Sequence, residues 1–242
     1  MIYEEPYTIP FFLGTQKGNV NLAMMVNALL MGSEHQLDAA GAGMDALLAH
    51  GLGWVITQYE LAIKRMPAVE TQVILGTQAR SYNKLMTYRD YWLATPAGER
   101  LVTMRGAWVM MDLQTRQLAP ILPAFPEKVG AQFATHVQRF KRLPKLDRID
   151  VDIPYRVRYF DIDGNGHVNN VHYFEWMEDS LGADFLQAHE LTGVRIKYAR
   201  EVTYGSTPHA QVQREGLVTR HQIVTAGAIN AEAEMTWRTR QA

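Results

Sequence analysis

The chain has 242 residues, 47% hydrophobic and 20% charged, so it can bury one large core or two smaller ones. A formal net charge of −1 argues against nucleic-acid binding, which calls for a basic excess. The absence of cysteine excludes disulfides, a cysteine nucleophile and Cys-ligated zinc. No stretch approaches the roughly 18 apolar residues that span a bilayer, and the N-terminus lacks the features of a signal or transit peptide. We therefore expect a cytoplasmic protein without membrane insertion.

The first half predicts one long helix followed by several strands. The helix opens at Gly18-Asn19-Val20-Asn21, where an Asn side chain can cap it. Apolar residues then recur at helical spacing, at Val20, Met24, Ala28 and Met31. Segments rich in Val, Ile, Tyr and Trp predict strands at 54–65, 71–79, 85–95 and 101–112, with a hairpin at Pro96 and Gly98.

A proline-rich and then basic segment separates the two halves, and it predicts a linker at 129–149 with some helix at 125–140. We accordingly divide the chain into an N-terminal domain, 1–128, and a C-terminal domain, 150–242.

The second half repeats the plan of the first. A strand at 153–160 precedes Gly166-His167-Val168-Asn169, which opens a second helix. The apolar stripe of that helix is Val171, Phe174, Met177, Leu181 and Phe185. Strands are predicted at 194–204 and 210–218, with two more ending near Trp237.

Two offsets support a duplication. The shared G-x-V-N pattern recurs 148 residues apart, and Glu60 and Glu201 each lie seven residues before a proline. Together the halves predict an α+β fold in which a curved antiparallel sheet wraps a long helix, twice over, with both units sharing one continuous sheet.

The turn before the second helix carries the chemistry. Asp163, Asn165 and His167 fall beside a helix N-terminus, where unpaired N–H groups and the helix dipole favour negative charge. Such donors stabilise the oxyanion formed in thioester hydrolysis, and a nearby carboxylate can activate water or attack directly.

Simpler interpretations of the same turn remain open. An EF-hand loop would start at Asp161, but His172 stands where a bidentate Glu is needed. Asp161 and Asn165 can simply shape the turn, and Asp161 is expected to do so. A metal on His167 and His172 is disfavoured because their spacing puts them on different helix faces. Tyr173 and Trp176 are expected to be packing residues.

Other catalytic motifs are absent from the sequence. A G-x-S-x-G elbow, a P-loop and a dinucleotide fingerprint are all missing, so we predict no serine mechanism, no cofactor and no metal.

The segment Asp161 to Asn170, with Tyr173 and Trp176, resembles the signature of the acyl-acyl carrier protein (acyl-ACP) thioesterases of plants and bacteria. The run Tyr198 to Val202 resembles that family's second motif, and the likeness covers nearly the whole chain. It implies two tandem hot-dog folds forming a pseudo-dimer, an acyl-ACP partner, and a functional set at Asp163, Asn165, His167 and Glu201. Plant members often have a cysteine where this chain has Val202, so a cysteine mechanism is impossible here.

The first copy is predicted to be non-catalytic. Aligning Gly18 with Gly166 places Thr15, Lys17 and Asn19 opposite the three polar residues of the second turn. The first helix could still shape an acyl tunnel, through Met24, Met25, Leu29 and Leu30, although ordinary core packing explains these residues equally well.

In the expected mechanism, the N–H groups of Val168 and Asn169, helped by Asn165, hold the carbonyl. Glu201 or Asp163 acts on water or on the carbonyl itself, and His167 orients or protonates. Strand alternation counts against Glu201, because it places that side chain with Lys197 on the face opposite the apolar residues.

An acidic carrier would dock on positive charge. The candidate cluster is Arg139, Lys141, Arg142 and Lys145, and a second is Arg195, Lys197 and Arg200. Either could be ordinary solvated surface.

Three rival functions follow from the same residues: an acyl-CoA thioesterase of this fold, a non-catalytic acyl-binding protein, and a hot-dog dehydratase. The dehydratase is disfavoured because its D-x-N-P-x-H pattern needs a proline where Gly166 stands. A monomer and a homodimer are both compatible with the sequence.

Overall fold

The structure is a computed structural model that describes residues 1–135 and 138–240. These residues form two compact units. The first comprises residues 1–20 and 25–140, and the second comprises residues 21–24 and 141–242.

The N-terminal unit is an antiparallel sheet with one long helix. Its five main strands lie in the order β1, β3, β4, β5, β2. The short β6 pairs with β5, and β7 runs parallel to β3. The elements are β1 Ile2–Thr8, α1 Leu22–Ala39, α2 Met44–Leu48, β2 Leu52–Ile63, β3 Gln72–Tyr82, β4 Thr87–Ala94, β5 Arg100–Asp112, β6 Leu118–Ala119, α3 Ala124–Lys128 and β7 Gln132–Phe133.

Helix α1 begins where the sequence predicts. The Asn21 side chain accepts the N–H of Met24 at 2.7 Å, which satisfies one of the orphan donors of the first turn. The helix approaches the sheet at Gly32, where an added Cβ would lie 3.5 Å from the Cβ of Leu75 on β3. The four predicted strands are confirmed as β2 to β5, and Gly98, at a φ of +89°, turns the predicted hairpin.

The C-terminal unit repeats the architecture with a shorter, broken helix. Its antiparallel strands lie in the order β9, β12, β11, β10, β8. The elements are β8 Val151–Pro154, α4 His172–Asp179, α5 Ala183–Ala188, β9 His189–Tyr198, β10 His209–Glu215, β11 Val218–Thr225 and β12 Ala228–Thr239.

Two predictions for this unit are wrong in their boundaries. The strand predicted at 153–160 ends at Pro154, and a 3₁₀ turn follows at Tyr159–Asp161. The predicted long helix does not start until His172, because Asn169 forms a turn: its side chain accepts the N–H of Val171 and its carbonyl accepts the N–H of His172. Gly182, at a φ of +82°, separates α4 from α5.

The predicted apolar stripe is confirmed as far as Leu181, whereas Phe185 is half-buried and lies on the separate helix α5. Val171, Phe174 and Met177 are fully buried, and α4 packs against β10 and β11. Removing a ring such as that of Phe174 would cost about 3–5 kcal/mol of stability.

The segment between the units is less helical than predicted. Among the described residues of the range 125–140, only those up to Lys128, at the end of α3, are helical, and the strand β7 follows; residues 136 and 137 lie outside the described residues. Over the part of the chain that is described, no helix is both long and apolar enough to cross a bilayer.

Candidate active site

The turn before α4 is a small closed loop. Ile162 and Val168 form an isolated antiparallel bridge, which brings the two ends of the loop together. Inside it, Asp163 N–H donates to the His167 carbonyl at 2.9 Å and Gly166 N–H donates to the Asp163 carbonyl at 3.0 Å. Gly166 has a φ of +82°, a conformation that side chains other than glycine adopt at a cost. The loop therefore holds Asp163 and His167 in fixed positions.

Asp163 has a structural contact of its own. One carboxylate oxygen accepts the N–H of Asn165 at 2.8 Å, which closes an Asx turn. The Asn165 side chain is exposed at the tip of the loop. The turn-shaping interpretation therefore applies to part of the Asp163 carboxylate as well as to Asp161.

Asp161 fixes the chain at the start of the loop. It is buried, and its two oxygens accept the backbone N–H and the guanidinium of Arg158 at 2.8 and 2.9 Å. Burial alone would raise the pKa of the Asp161 carboxyl, but the hydrogen bonds and charges of Arg158 and His172 outweigh it and lower that pKa. The prediction that Asp161 shapes the turn is confirmed.

His167 and Glu201 meet in the site. The distance between His167 Nε2 and Glu201 Oε2 is 2.9 Å, and the side chains are 21% and 42% exposed. The objection from strand alternation fails because β9 ends at Tyr198, three residues before Glu201, so the period of two no longer applies there. The pair is accessible enough for a substrate to reach it.

Backbone and side-chain contacts hold the segment that carries Glu201. The Glu201 carbonyl accepts a hydrogen bond from the buried Asn230 side chain at 3.2 Å. The next residue, Val202, accepts the N–H of Val168 at 2.9 Å and donates its own N–H to the Tyr173 hydroxyl at 3.1 Å. The Glu201 segment is thus tied to the loop and to α4.

Tyr173 does more than the packing predicted for it. Its buried ring packs against the rings of Trp176 and Tyr198. Burial, and then the negative charges of Glu201 and Asp163, raise the pKa of the Tyr173 hydroxyl well above its usual range. Both carboxylates therefore interact electrostatically with the Tyr173 hydroxyl. The one sequence signal for such a role was the position of Tyr173 in the segment that resembles the thioesterase signature.

The N–H groups of the two predicted backbone oxyanion donors both have acceptors within the protein. Val168 N–H donates to the Val202 carbonyl, and Asn169 N–H donates to the Asp161 carbonyl at 2.8 Å. Both donors are occupied by the bonds that close the loop, so they do not point at a substrate position.

The N-terminal unit contains the same loop without the same side chains. Thr15 N–H donates to the Asn19 carbonyl at 2.8 Å and Gly18 N–H to the Thr15 carbonyl at 3.0 Å. The N–H of Lys17 donates to the Thr15 hydroxyl at 3.2 Å, where Asn165 uses the carboxylate of Asp163. Thr15, Lys17 and Asn19 thus occupy the three positions expected from the alignment.

The counterpart of Glu201 in this unit is Met66. Val20 N–H donates to the Pro67 carbonyl at 3.0 Å, as Val168 does to Val202, so the residue before Pro67 corresponds to Glu201. The match between Glu60 and Glu201 suggested by their proline spacing is therefore wrong, since Glu60 lies inside β2. The first copy lacks the carboxylates and the imidazole at all of these positions.

A cavity of about 40 Å³ lies inside the N-terminal unit. Helix α1 contributes Ser33, Glu34 and Leu37 to its lining, and none of the four predicted tunnel residues lines it. Of those four, Met25 and Leu29 are fully buried, while Met24 and Leu30 are half-buried. The other lining side chains are Trp54, Ala79, Thr87, Arg89, Tyr91, Trp108, Pro126 and Val129.

The predicted docking residues are exposed. Arg139, Lys141, Arg142 and Lys145 all lie on the surface. The second cluster is less available, because Arg195 is half-buried and forms an ion pair with Glu234.

In the described ranges 1–135 and 138–240, no three His, Cys, Asp or Glu side chains are grouped closely enough to hold a metal ion.

Comparison with protein families gives two matches that together span most of the chain. The acyl-ACP thioesterase N-terminal domain matches residues 1–129, and the C-terminal domain matches residues 145–239. A palmitoyl-acyl carrier protein thioesterase of Cuphea hookeriana is 30% identical over 161 residues, which is 61% of this chain and 38% of the relative. A dodecanoyl-[acyl-carrier-protein] hydrolase of Cinnamomum camphora is 26% identical, over 76% of this chain and 52% of the relative. Both are described as chloroplastic, and this chain spans about half of their length or less.

Solved structures give the same result for the fold. A crystal structure from Lactobacillus plantarum, provisionally described as an oleoyl thioesterase, has a TM-score of 0.96 and 33% identity, covering 100% of this chain and 98% of the other. A 12:0-ACP thioesterase from Umbellularia californica has a TM-score of 0.87 at 20% identity, covering 99% and 98%. The predicted pair of hot-dog folds is confirmed.

Proposed function

The chain belongs to the acyl-ACP thioesterase family, and on that premise we propose that it hydrolyses the thioester of fatty acyl-ACP, releasing the free fatty acid and ending synthesis of the chain. The observation that carries the proposal is the contact of 2.9 Å between His167 and Glu201. Beside it, the Asp163 carboxylate and the Tyr173 hydroxyl are close enough to interact electrostatically.

Glu201 is the residue we assign to water activation. Its carboxylate is partly exposed and contacts the His167 imidazole, so it can accept a proton from a water molecule bound next to the loop. Asp163 has one oxygen engaged in the Asx turn, which favours a positioning role. The thiolate that leaves has a thiol pKa of about 8.5, so its departure needs little acid catalysis. His167 then serves mainly to orient Glu201.

The carbonyl oxygen needs donors other than the two N–H groups already occupied. The side-chain amide of Asn165, exposed at the loop tip, is the donor that we assign to it. An Asn165→Ala variant should therefore lower kcat with little effect on the melting temperature.

We assign the end of the acyl chain to the cavity of the N-terminal unit. A volume of about 40 Å³ lies far below the roughly 300–1,000 Å³ of whole-ligand pockets, so it suits a chain terminus and little else. Most of its lining side chains are aromatic or aliphatic, which favours an apolar group, and Ser33, Glu34, Thr87 and Arg89 complete the lining. The non-catalytic role of this unit rests on Thr15, Lys17, Asn19 and Met66 in place of the catalytic set.

The test compares Glu201→Gln and His167→Ala with Glu60→Gln as the matched control, using a series of acyl-ACPs of increasing chain length. General-base loss should lower kcat by roughly 10²–10⁴-fold in Glu201→Gln. Glu60→Gln, inside β2, should keep wild-type turnover. Near-normal rates in both site variants, with released acids identified by mass spectrometry, would refute the assignment.

An acyl-CoA thioesterase of the same fold is separated by the same assay run with acyl-CoA of matched chain length. If kcat/KM were higher for acyl-CoA than for acyl-ACP, acyl-CoA would be the preferred substrate and the proposal of acyl-ACP would be wrong. Cytoplasmic location and the choice between monomer and homodimer stay predictions.

A further inference from the structure

Two large aromatic side chains are exposed immediately before the catalytic loop. Tyr159 and Phe160 are 73% and 87% exposed, which is unusual for rings of this size. They contact each other edge to face, with ring centroids 5.3 Å apart. The buried Asp161 and its bonds to Arg158 fix the turn that carries them, so the pair is an ordered apolar projection.

The N-terminal unit carries a counterpart that serves as an internal comparison. Phe11 and Phe12 are 71% and 70% exposed and pack edge to face at 5.6 Å. The preceding residues differ, however. Thr8 and Pro10 stand where the second unit has Arg156 and Arg158, so the aromatic geometry is shared and the positive charge is not.

We propose that Tyr159, Phe160 and Arg156 form the contact surface for the acyl carrier protein. The inference rests on the proposed function, since a carrier that delivers its thioester through a tethered arm must bind within reach of the site. Phe160 lies three residues before Asp163. Aromatic residues and Arg are enriched at protein interfaces, with Tyr and Arg among the residues whose truncation weakens binding most, and exposed Arg156 complements an acidic carrier.

The basic cluster predicted for docking lacks one of these two elements. Arg139, Lys141, Arg142 and Lys145 supply charge, but Phe140 among them is half-buried and stacks on Tyr88 at a centroid distance of 6.4 Å. This cluster can attract the carrier at long range, whereas the aromatic surface can hold it.

The experiment measures binding separately from hydrolysis. The probe is an acyl carrier protein whose acyl group is joined through a non-hydrolysable amide, and Kd is determined by calorimetry for full-length variants. The double variant Tyr159→Ala/Phe160→Ala should raise Kd about 10-fold or more, as expected for loss of an interface hot spot. The matched control, Phe11→Ala/Phe12→Ala, should leave Kd unchanged, and thermal melting confirms that both fold.

Charge is tested by Arg156→Glu, which should raise Kd at low salt and flatten its dependence on salt. An unchanged Kd in both the aromatic and the charge variants would overturn the proposal. An equal rise in Kd for the Phe11/Phe12 control would also overturn it. So would variants that lose binding to anionic lipid vesicles while their Kd for the carrier stays unchanged. Failure of the proposed function is distinguishable, because it would appear as carrier binding without hydrolysis of acyl-ACP by the wild-type protein.

Discussion

Removing one hydroxyl group, in Tyr173→Phe, tests how the site is held together. That oxygen accepts the N–H of Val202 at 3.1 Å, and both residues are buried. The variant leaves a buried N–H without a partner, which costs about 1–3 kcal/mol. For a chain of this size each kcal/mol lowers Tm by roughly 2–4 °C, so we expect a fall of about 2–12 °C.

The same change should affect turnover. Val202 follows Glu201 directly, and a displacement of about 1 Å in a catalytic group can cost roughly 100-fold in rate. We expect kcat on acyl-ACP to fall at least 10-fold with KM nearly unchanged, because the substrate contacts remain.

Tyr155→Phe is the matched control for this variant. The Tyr155 hydroxyl donates to the exposed Asp179 carboxylate at 2.7 Å, so water can replace the lost bond. Its activity should stay at the wild-type level. A Tyr173→Phe protein that melts lower but keeps full kcat would show that the hydroxyl supports the fold and does not position Glu201. A protein unchanged in both measurements would refute the reasoning altogether.

Three further changes have defined outcomes. Burial, and then the positive charge of Arg214, lower the pKa of His221 from 6.5 to about 3, so between these values the unfolded chain binds a proton that the folded chain does not. The free energy of unfolding should therefore fall as the pH drops from 6.5 towards 3, by up to about 1.4 kcal/mol per pH unit. In His221→Phe, the free energy of unfolding measured by urea titration at each pH should depend less steeply on pH. Gly76→Ala should cost about 1–3 kcal/mol in the same assay, because its Cβ would lie 1.8 Å from the Trp92 ring nitrogen, and a wild-type midpoint would contradict this. Ala79→Leu should fill the N-terminal cavity and shift the released acids to shorter chains, whereas an unchanged product profile would exclude the cavity from chain selection.

Periodic segments of the fold could be predicted from the sequence. Helix α1 and strands β2 to β5 have unambiguous patterns, and the Asn21 cap forms as expected. Strand β1 was missed because Glu4, Glu5 and Pro6 have low strand propensity. Proline is tolerated there because, among the described residues of its unit, β1 pairs only with β3 and lies at the end of the strand order.

The site was predictable as a set of residue types and less so as a geometry. The polar residues of the second loop were identified, and the structure brings His167 and Glu201 into contact. The sequence did not predict where β9 ends, and that end decides the direction of the Glu201 side chain. Nor did it predict which N–H groups donate to backbone carbonyls and are therefore not available to a substrate. Similarly, Met66 is recognised as the counterpart of Glu201 only through the bond from Val20 to Pro67.

The bonds that close the two loops belong almost entirely to the main chain. Val168 to Val202 in one unit and Val20 to Pro67 in the other join backbone atoms, so these two links do not depend on which side chains stand at positions 15, 19 and 66 or 163, 167 and 201. Reactive groups on such a frame can be gained or lost by substitution while the fold persists. The loop of the N-terminal unit keeps these backbone bonds with Thr15, Asn19 and Met66 at the corresponding positions, and replacing those three residues with Asp, His and Glu would test whether the frame accepts the other set.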